Sequence, residues 1–176
     1  MAANITEIMS RLSEQYQIPI DTNEDIKSGL RVFSQRDTNF DDSLDEQEVK
    51  EFHLPKYMAE KLFVSESGEK CKTITVKQFI KRMFFRNISQ YWQVVFDKID
   101  TDGDKFLDQT EVETFLTAVG IAKLGDTEAA LKVLNGYDAN KDGKLSFKEF
   151  VTYLNANLDE SIDAIVEAEK SAKKQS

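Results

Sequence analysis

Three twelve-residue stretches place oxygen-bearing side chains at every second position and then close on a glutamate. They are DTNFDDSLDEQE at 37–48, DTDGDKFLDQTE at 100–111 and DANKDGKLSFKE at 138–149. No regular element gains from that spacing. A helix gathers a face at three- and four-residue steps, and a strand alternates two faces without needing a fixed final residue. Alternation that starts on Asp and ends on Glu instead suits a chain wrapped around a point. Any fold for this sequence has to present three such loops.

A hard divalent cation is the natural occupant of that point. Calcium takes six to eight oxygen ligands, and a twelve-residue loop supplies them from positions 1, 3, 5, 7, 9 and 12. Position 7 gives a backbone carbonyl, position 9 often acts through water, and position 12 is a bidentate Glu. The first loop then offers Asp37, Asn39, Asp41, the Ser43 carbonyl, Asp45 and Glu48. The second of the three offers Asp100, Asp102, Asp104, the Phe106 carbonyl, Asp108 and Glu111. The last offers Asp138, Asn140, Asp142, the Lys144 carbonyl, Ser146 and Glu149. Position 8 is apolar in all three (Leu44, Leu107, Leu145) and is expected to pair with its counterpart in a neighbouring loop. Position 6 calls for a left-handed residue, which Gly143 meets freely and Asp42 and Lys105 meet at a steric cost. Asp tolerates that conformation better than most, so the cost is expected to fall mainly on the Lys105 loop.

The flanks are helical. Trp92, Val95, Phe96 and Ile99 precede the 100–111 loop, and Val112, Phe115 and Leu116 follow it. Val133, Leu134 and Tyr137 precede the 138–149 loop, with Phe150, Tyr153 and Leu154 after it; Ile26, Leu30 and Phe33 precede the first, with Val49 and Phe52 after it. Such steps lay apolar side chains along one helical face. Helix–loop–helix units of this kind resemble the EF-hand superfamily over roughly residues 21–155. The resemblance implies an all-α fold: two pairs of hands in a compact two-lobe protein, with short β-bridges between paired loops. The expected lobes are 1–86 and 87–176.

Pairing requires a partner for the first loop, and SGEKCKTITVKQ at 67–78 is the candidate, with Ile74 at position 8. A thiol (Cys71) stands at position 5 and a neutral Gln78 at position 12, so this hand is expected to bind no ion. Working hands one, three and four beside a degenerate second are similar to the invertebrate sarcoplasmic calcium-binding proteins and calexcitin. The resemblance implies three calcium ions, with magnesium a possible occupant at rest, in a monomeric calcium buffer or compact signalling protein. The alternative is a calmodulin-like sensor that exposes a surface to a target protein.

Composition narrows the rest. The net charge of −9 disfavours nucleic acid and anionic membranes as general partners. A single cysteine excludes an internal disulfide and fits a reducing compartment, so a cytoplasmic location is expected. The start carries neither a secretory pattern nor, with Ala2 after Met1, a myristoylation signal. One His, His53, expected on a short helix ended by Pro55, and no nucleophile beside a base give no catalytic constellation, so no enzyme is expected. Four Met, none after residue 83, argue against the Met-rich groove of a sensor. Lys70, Lys72, Lys77, Lys81, Arg82 and Arg86 form a basic stretch that is a solvated face, a complement to the acidic C-terminal lobe, or a docking patch for an anionic partner or membrane. Ile5, Ile8, Met9 and Leu12 suggest an added amino-terminal core helix. Leu158, Ile162, Ile165 and Val166 suggest a tail helix folded onto the protein's own groove, with a polar, disordered end.

Overall fold

The computed structural model describes residues 22–65 and 67–174, together with residues 10, 11 and 14. The amino-terminal stripe at Ile5, Ile8, Met9 and Leu12 lies outside them. The chain is mostly helical, and its elements recur as helix, loop, short strand, helix. The first repeat is α1 (Thr22–Arg36), β1 (Ser43–Asp45) and α2 (Glu46–Lys50). The second is α3 (Lys56–Leu62), β2 (Thr73–Thr75) and α4 (Val76–Phe84). The third is α5 (Ile88–Ile99), β3 (Phe106–Leu107) and α6 (Gln109–Ala118), and the fourth is α7 (Thr127–Tyr137), β4 (Leu145–Ser146) and α8 (Phe147–Lys174).

Each strand lies inside a loop, and the four pair antiparallel two by two, β1 with β2 and β3 with β4. Leu44 faces Ile74, and Leu107 faces Leu145. All four side chains are fully buried, so the apolar residue at position 8 is where each pair of repeats joins its core.

The helix after each strand starts on a capping box. Asp45 with Glu48, Thr75 with Gln78 and Asp108 with Glu111 exchange side-chain and backbone bonds in this way. Ser146 and Glu149 make the same exchange. Positions 9 and 12 therefore have a structural task in every repeat, whatever else they do. Asn87 is the N-cap of α5 but makes no side-chain capping bond.

The chain forms two units, each with its own core. One comprises 23–86 with 162–176, the other 87–161 with the described residues of 1–22. In the first, Phe33 and Phe52 pack their rings on Phe79 at 5.9 and 5.4 Å. Gly29 lets α1 approach α4 closely, since a Cβ there would sit 2.9 Å from Ile80 and 3.0 Å from Phe84. In the second, Phe150 is packed by Phe96 and Phe115 at 5.8 and 5.3 Å, and Trp92 is fully buried. Arg11 lies over Gly120, whose φ of +72° and lack of a Cβ leave room for the guanidinium.

The last helix does not stop after the fourth repeat but runs unbroken to Lys174. Phe150, Leu154, Leu158, Ile162 and Val166 form one row at four-residue steps, all buried. The helix belongs to one unit up to Ser161 and to the other from Ile162. Asp163 pairs with Lys77 at 2.5 Å and Lys170 with Asp42 at 3.0 Å, fixing that last part to the repeats of its own unit. The polar end is helical as far as Lys174, where disorder was expected.

His53 is a second correction. It lies in no helix: α2 ends at Lys50, and His53 takes a left-handed φ of 53° in the turn beyond. A left-handed residue stops a helix, and Pro55 then starts α3 as its N-cap. The imidazole is exposed, with Nδ1 3.0 Å from the Glu51 carbonyl oxygen.

Candidate metal centres

The alternating residues of the three loops are held by their own backbone. In the 100–111 loop Asp100 accepts from the Gly103 and Lys105 N–H groups at 2.8 and 3.1 Å. Asp102 accepts from the Asp104 N–H at 3.0 Å, and Asp104 from the Phe106 N–H at 2.8 Å. The 138–149 loop repeats the scheme. Asp138 takes the Lys141 and Gly143 N–H groups at 2.7 and 2.8 Å, Asn140 takes that of Asp142 at 3.1 Å, and Asp142 takes that of Lys144 at 2.9 Å. In the 37–48 loop Asp37 accepts from Asp41 and Asp42, Asn39 from Asp41, and Asp41 from both the N–H and hydroxyl of Ser43. At positions 3 and 5 the two-residue step is thus a pair of Asx turns, each side chain bonded to the N–H two places on, while the opening Asp reaches N–H groups three to five places on.

That winding needs left-handed backbone twice per loop. Position 6 has φ of 62° at Asp42, 72° at Lys105 and 84° at Gly143. Position 4 needs it as well: 58° at Phe40, 75° at Gly103 and 61° at Lys141. The later loops each have one glycine for the two places, and the first has none. The strain expected chiefly in the Lys105 loop is therefore greatest at 37–48, where an aromatic residue with a β-carbon stands at position 4.

The closing glutamates are clamped. Glu48 accepts from the Thr38 N–H and hydroxyl at 2.8 and 3.0 Å and from the Asp45 N–H at 3.1 Å. Glu111 accepts from the Thr101 N–H and hydroxyl at 2.7 and 2.9 Å and from the Asp108 N–H at 3.0 Å. In the last loop Ala139 has no hydroxyl. Glu149 takes the Ala139 N–H at 2.9 Å, then the N–H and hydroxyl of Ser146 at 2.8 and 2.6 Å. Glu48, Glu111 and Asp37 are buried, which a carboxylate tolerates only when its oxygens have partners.

Electrostatics follow this geometry. The Ser43 hydroxyl beside Asp41 holds its carboxyl below the usual range, and the Lys144 ammonium does the same for Asp104. Partial burial pushes Glu149 up, but the bonds from Ser146 and Ala139 outweigh it and leave the group lowered. One oxygen from each of Asp100, Asp102 and Asp104 lies within 4.8 Å of the other two. Three like charges at that separation repel one another, and a hard divalent cation among them removes the repulsion. The donor set is oxygen throughout, which suits calcium or magnesium and not a thiolate-seeking metal.

Residues 67–78 are built differently. Val64 lies opposite Lys70 in an antiparallel bridge, and the Cys71 N–H donates to the Phe63 carbonyl at 2.7 Å. The Ser65 hydroxyl, 2.8 Å from that of Ser67, accepts from the Glu69 N–H at 3.0 Å. The Gln78 side-chain carbonyl accepts from the Thr75 N–H at 3.0 Å. The basic stretch is partly used up internally, with Lys77 on Asp163 and Arg82 donating to the Leu62 carbonyl.

Helix–loop–helix units joined in pairs through a two- or three-residue strand, with acidic loops between, define a class of divalent-cation-binding hand. Family comparison agrees: the EF-hand domain pair matches residues 89–154. Calsensin of Haemopis marmorata is 34% identical over 71 residues, 38% of this chain and 82% of calsensin. The mitochondrial adenyl nucleotide antiporter SLC25A24 of Bos taurus is 40% identical over 63 residues, 36% of this chain. "Probable calcium-binding protein CML45" of Arabidopsis thaliana is 34% identical over 63 residues. The chain spans only 13% of the antiporter and 32% of the Arabidopsis protein. This chain belongs to the EF-hand family of calcium-binding proteins.

Position 4 and the closing clamp escaped sequence reasoning. Gly103 was a visible signal for the first. Thr38 and Thr101, each directly after the opening Asp, were visible for the second.

Proposed function

We propose that the protein binds calcium reversibly at three sites, the loops 37–48, 100–111 and 138–149, with 67–78 as an ion-free partner for the first. The observation that carries this is the shared hydrogen-bond scheme. The same relative positions hold the same acceptors in three loops, while Val64 and Lys70 are bridged at the start of the 67–78 loop. The ligands are the alternating side chains, the carbonyls of Ser43, Phe106 and Lys144, and Glu48, Glu111 and Glu149. Calcium is the working ion, and magnesium shares the sites when calcium is low. Four hands in two pairs, with the second degenerate, support the kinship with sarcoplasmic calcium-binding proteins and calexcitin.

Within that reading the protein acts as a monomeric cytosolic buffer or compact signalling protein, not as an enzyme. The buried row Leu158, Ile162 and Val166 favours this over a sensor, because it leaves the last helix no free apolar face to offer a target. Calorimetric titration should find three calcium ions, and Glu48→Gln, Glu111→Gln and Glu149→Gln should each remove or severely weaken one. A parent binding one, two or four ions would overturn the assignment.

A further inference from the structure

Loops 100–111 and 138–149 are joined by the β3–β4 pair, which sets Phe106 opposite Ser146 and Leu107 opposite Leu145. Lys144 comes directly before that pair, so its side chain leaves the strand beside the other loop. Its ammonium donates to Asp104 Oδ2, while Asp104 Oδ1 takes the Phe106 N–H. The ammonium therefore occupies the Asp104 oxygen that the backbone leaves free. The exchange is one-sided: position 7 of the 100–111 loop is Phe106, which has no charge to return to Asp142. The loops also differ in acidity. Among their alternating and closing residues, 100–111 carries Asp100, Asp102, Asp104, Asp108 and Glu111, against Asp138, Asp142 and Glu149 in the other.

We propose that Lys144 sets the affinity of the neighbouring loop. Its ammonium is a resident counter-cation on Asp104, which an ion entering 100–111 must displace or share the carboxylate with. The inference rests on 100–111 being a calcium site. One loop thus lends its acid-rich partner a positive charge, relieving repulsion among the carboxylates before calcium arrives and weakening calcium's hold afterwards. The same residue gives its own loop only a backbone carbonyl, so the two roles separate by mutation.

The test is a calcium titration of the full chain followed by the amide resonances of Lys105 and Gly143, one reporting on each loop. Lys144→Met keeps the stem and the carbonyl and removes the charge. It should tighten the 100–111 loop by about two- to fivefold, the range an exposed ion pair can supply, and change that loop more than 138–149, to which Lys144 lends only its carbonyl. Lys144→Arg should behave as the parent, and Lys132→Met, which removes an exposed charge from α7, should change neither loop. An unchanged or weaker 100–111 loop in Lys144→Met would overturn the role of Lys144 alone. A parent whose Lys105 amide does not respond to calcium would overturn the site and this inference with it.

Discussion

Phe40 holds a φ of 58° with its side chain 86% exposed, so nothing it packs against repays the conformation. A left-handed residue with a β-carbon costs roughly 1–2 kcal/mol, and a glycine returns part of any relief by loosening the unfolded chain, about 0.4–1 kcal/mol. Phe40→Gly should therefore stabilise the calcium-free protein by on the order of 0.5–1 kcal/mol, read as a higher urea midpoint at unchanged slope. An equal or lower midpoint would show that the loop carries no strain there. Tyr153 gives a test at the opposite extreme of burial. Removal from water pushes its phenol up to about 12, with the Tyr137 ring 5.1 Å away adding to the shift. A raised folded-state value favours the neutral phenol. Its contribution is whole below the unfolded value near 10 and is lost as pH rises towards 12, on the order of 2 kcal/mol. Tyr153→Phe should flatten that part of the alkaline stability curve. If parent and variant lose stability in parallel between pH 10 and 12, Tyr153 is not the group responsible.

Among the elements, the strands were the most legible in the sequence and the last helix the least. Leu44, Ile74, Leu107 and Leu145 sit at one place in a twelve-residue frame, and a fixed place in a repeat is information that a single sequence carries. The unbroken course of α8 was legible in principle, because Phe150, Leu154, Leu158, Ile162 and Val166 keep one four-residue step across the join. Reading the two halves separately hid it. The turn at His53 was not legible, since a left-handed histidine has no pattern of its own until the helix before it has ended. Ile162 is fully buried within α8, so Ile162→Ala should cost about 2–4 kcal/mol through lost burial and a partly collapsed cavity. Asp163→Asn, one residue on, breaks only a half-exposed ion pair with Lys77 and should cost under about 1 kcal/mol. A thermal or urea series in which Asp163→Asn proved the more damaging would mean that charge, not the apolar row, holds the helix end.

For the molecule as a whole, the proposed function makes calcium a ligand that favours the folded state over the unfolded one. Each filled site adds about 2.7 kcal/mol when the free ion stands at a hundred times its dissociation constant. Chelation should therefore lower the melting temperature steeply. Trp92 is fully buried, with its indole N–H 3.4 Å from the Asn155 side-chain oxygen, and should emit in the blue with calcium present and shift red on chelation. A hydrophobic probe dye should bind no better with calcium than without, because the described apolar rows are already buried. A strong calcium-dependent rise in dye fluorescence would point to a sensor that opens. Three of the loops could be read because their spacing is chemical, while the division into units depends on which core claims the end of α8.

The glutamate clamps bear on which changes of sequence such a chain can survive. In two loops the hydroxyl that steadies the closing carboxylate comes from the second position, and in the last it comes from the ninth. These are two spellings of one device. Crossing from one to the other by single steps passes through a loop with one donor fewer or one to spare, and only the second order is benign. Asp108→Ser made first and Thr101→Ala second should keep a hydroxyl on the Glu111 carboxylate at each step, so Thr101→Ala should weaken calcium binding at 100–111 more in the parent than in the Asp108→Ser background. The order in which two neutral-looking replacements are made then decides whether the path between related loops is open.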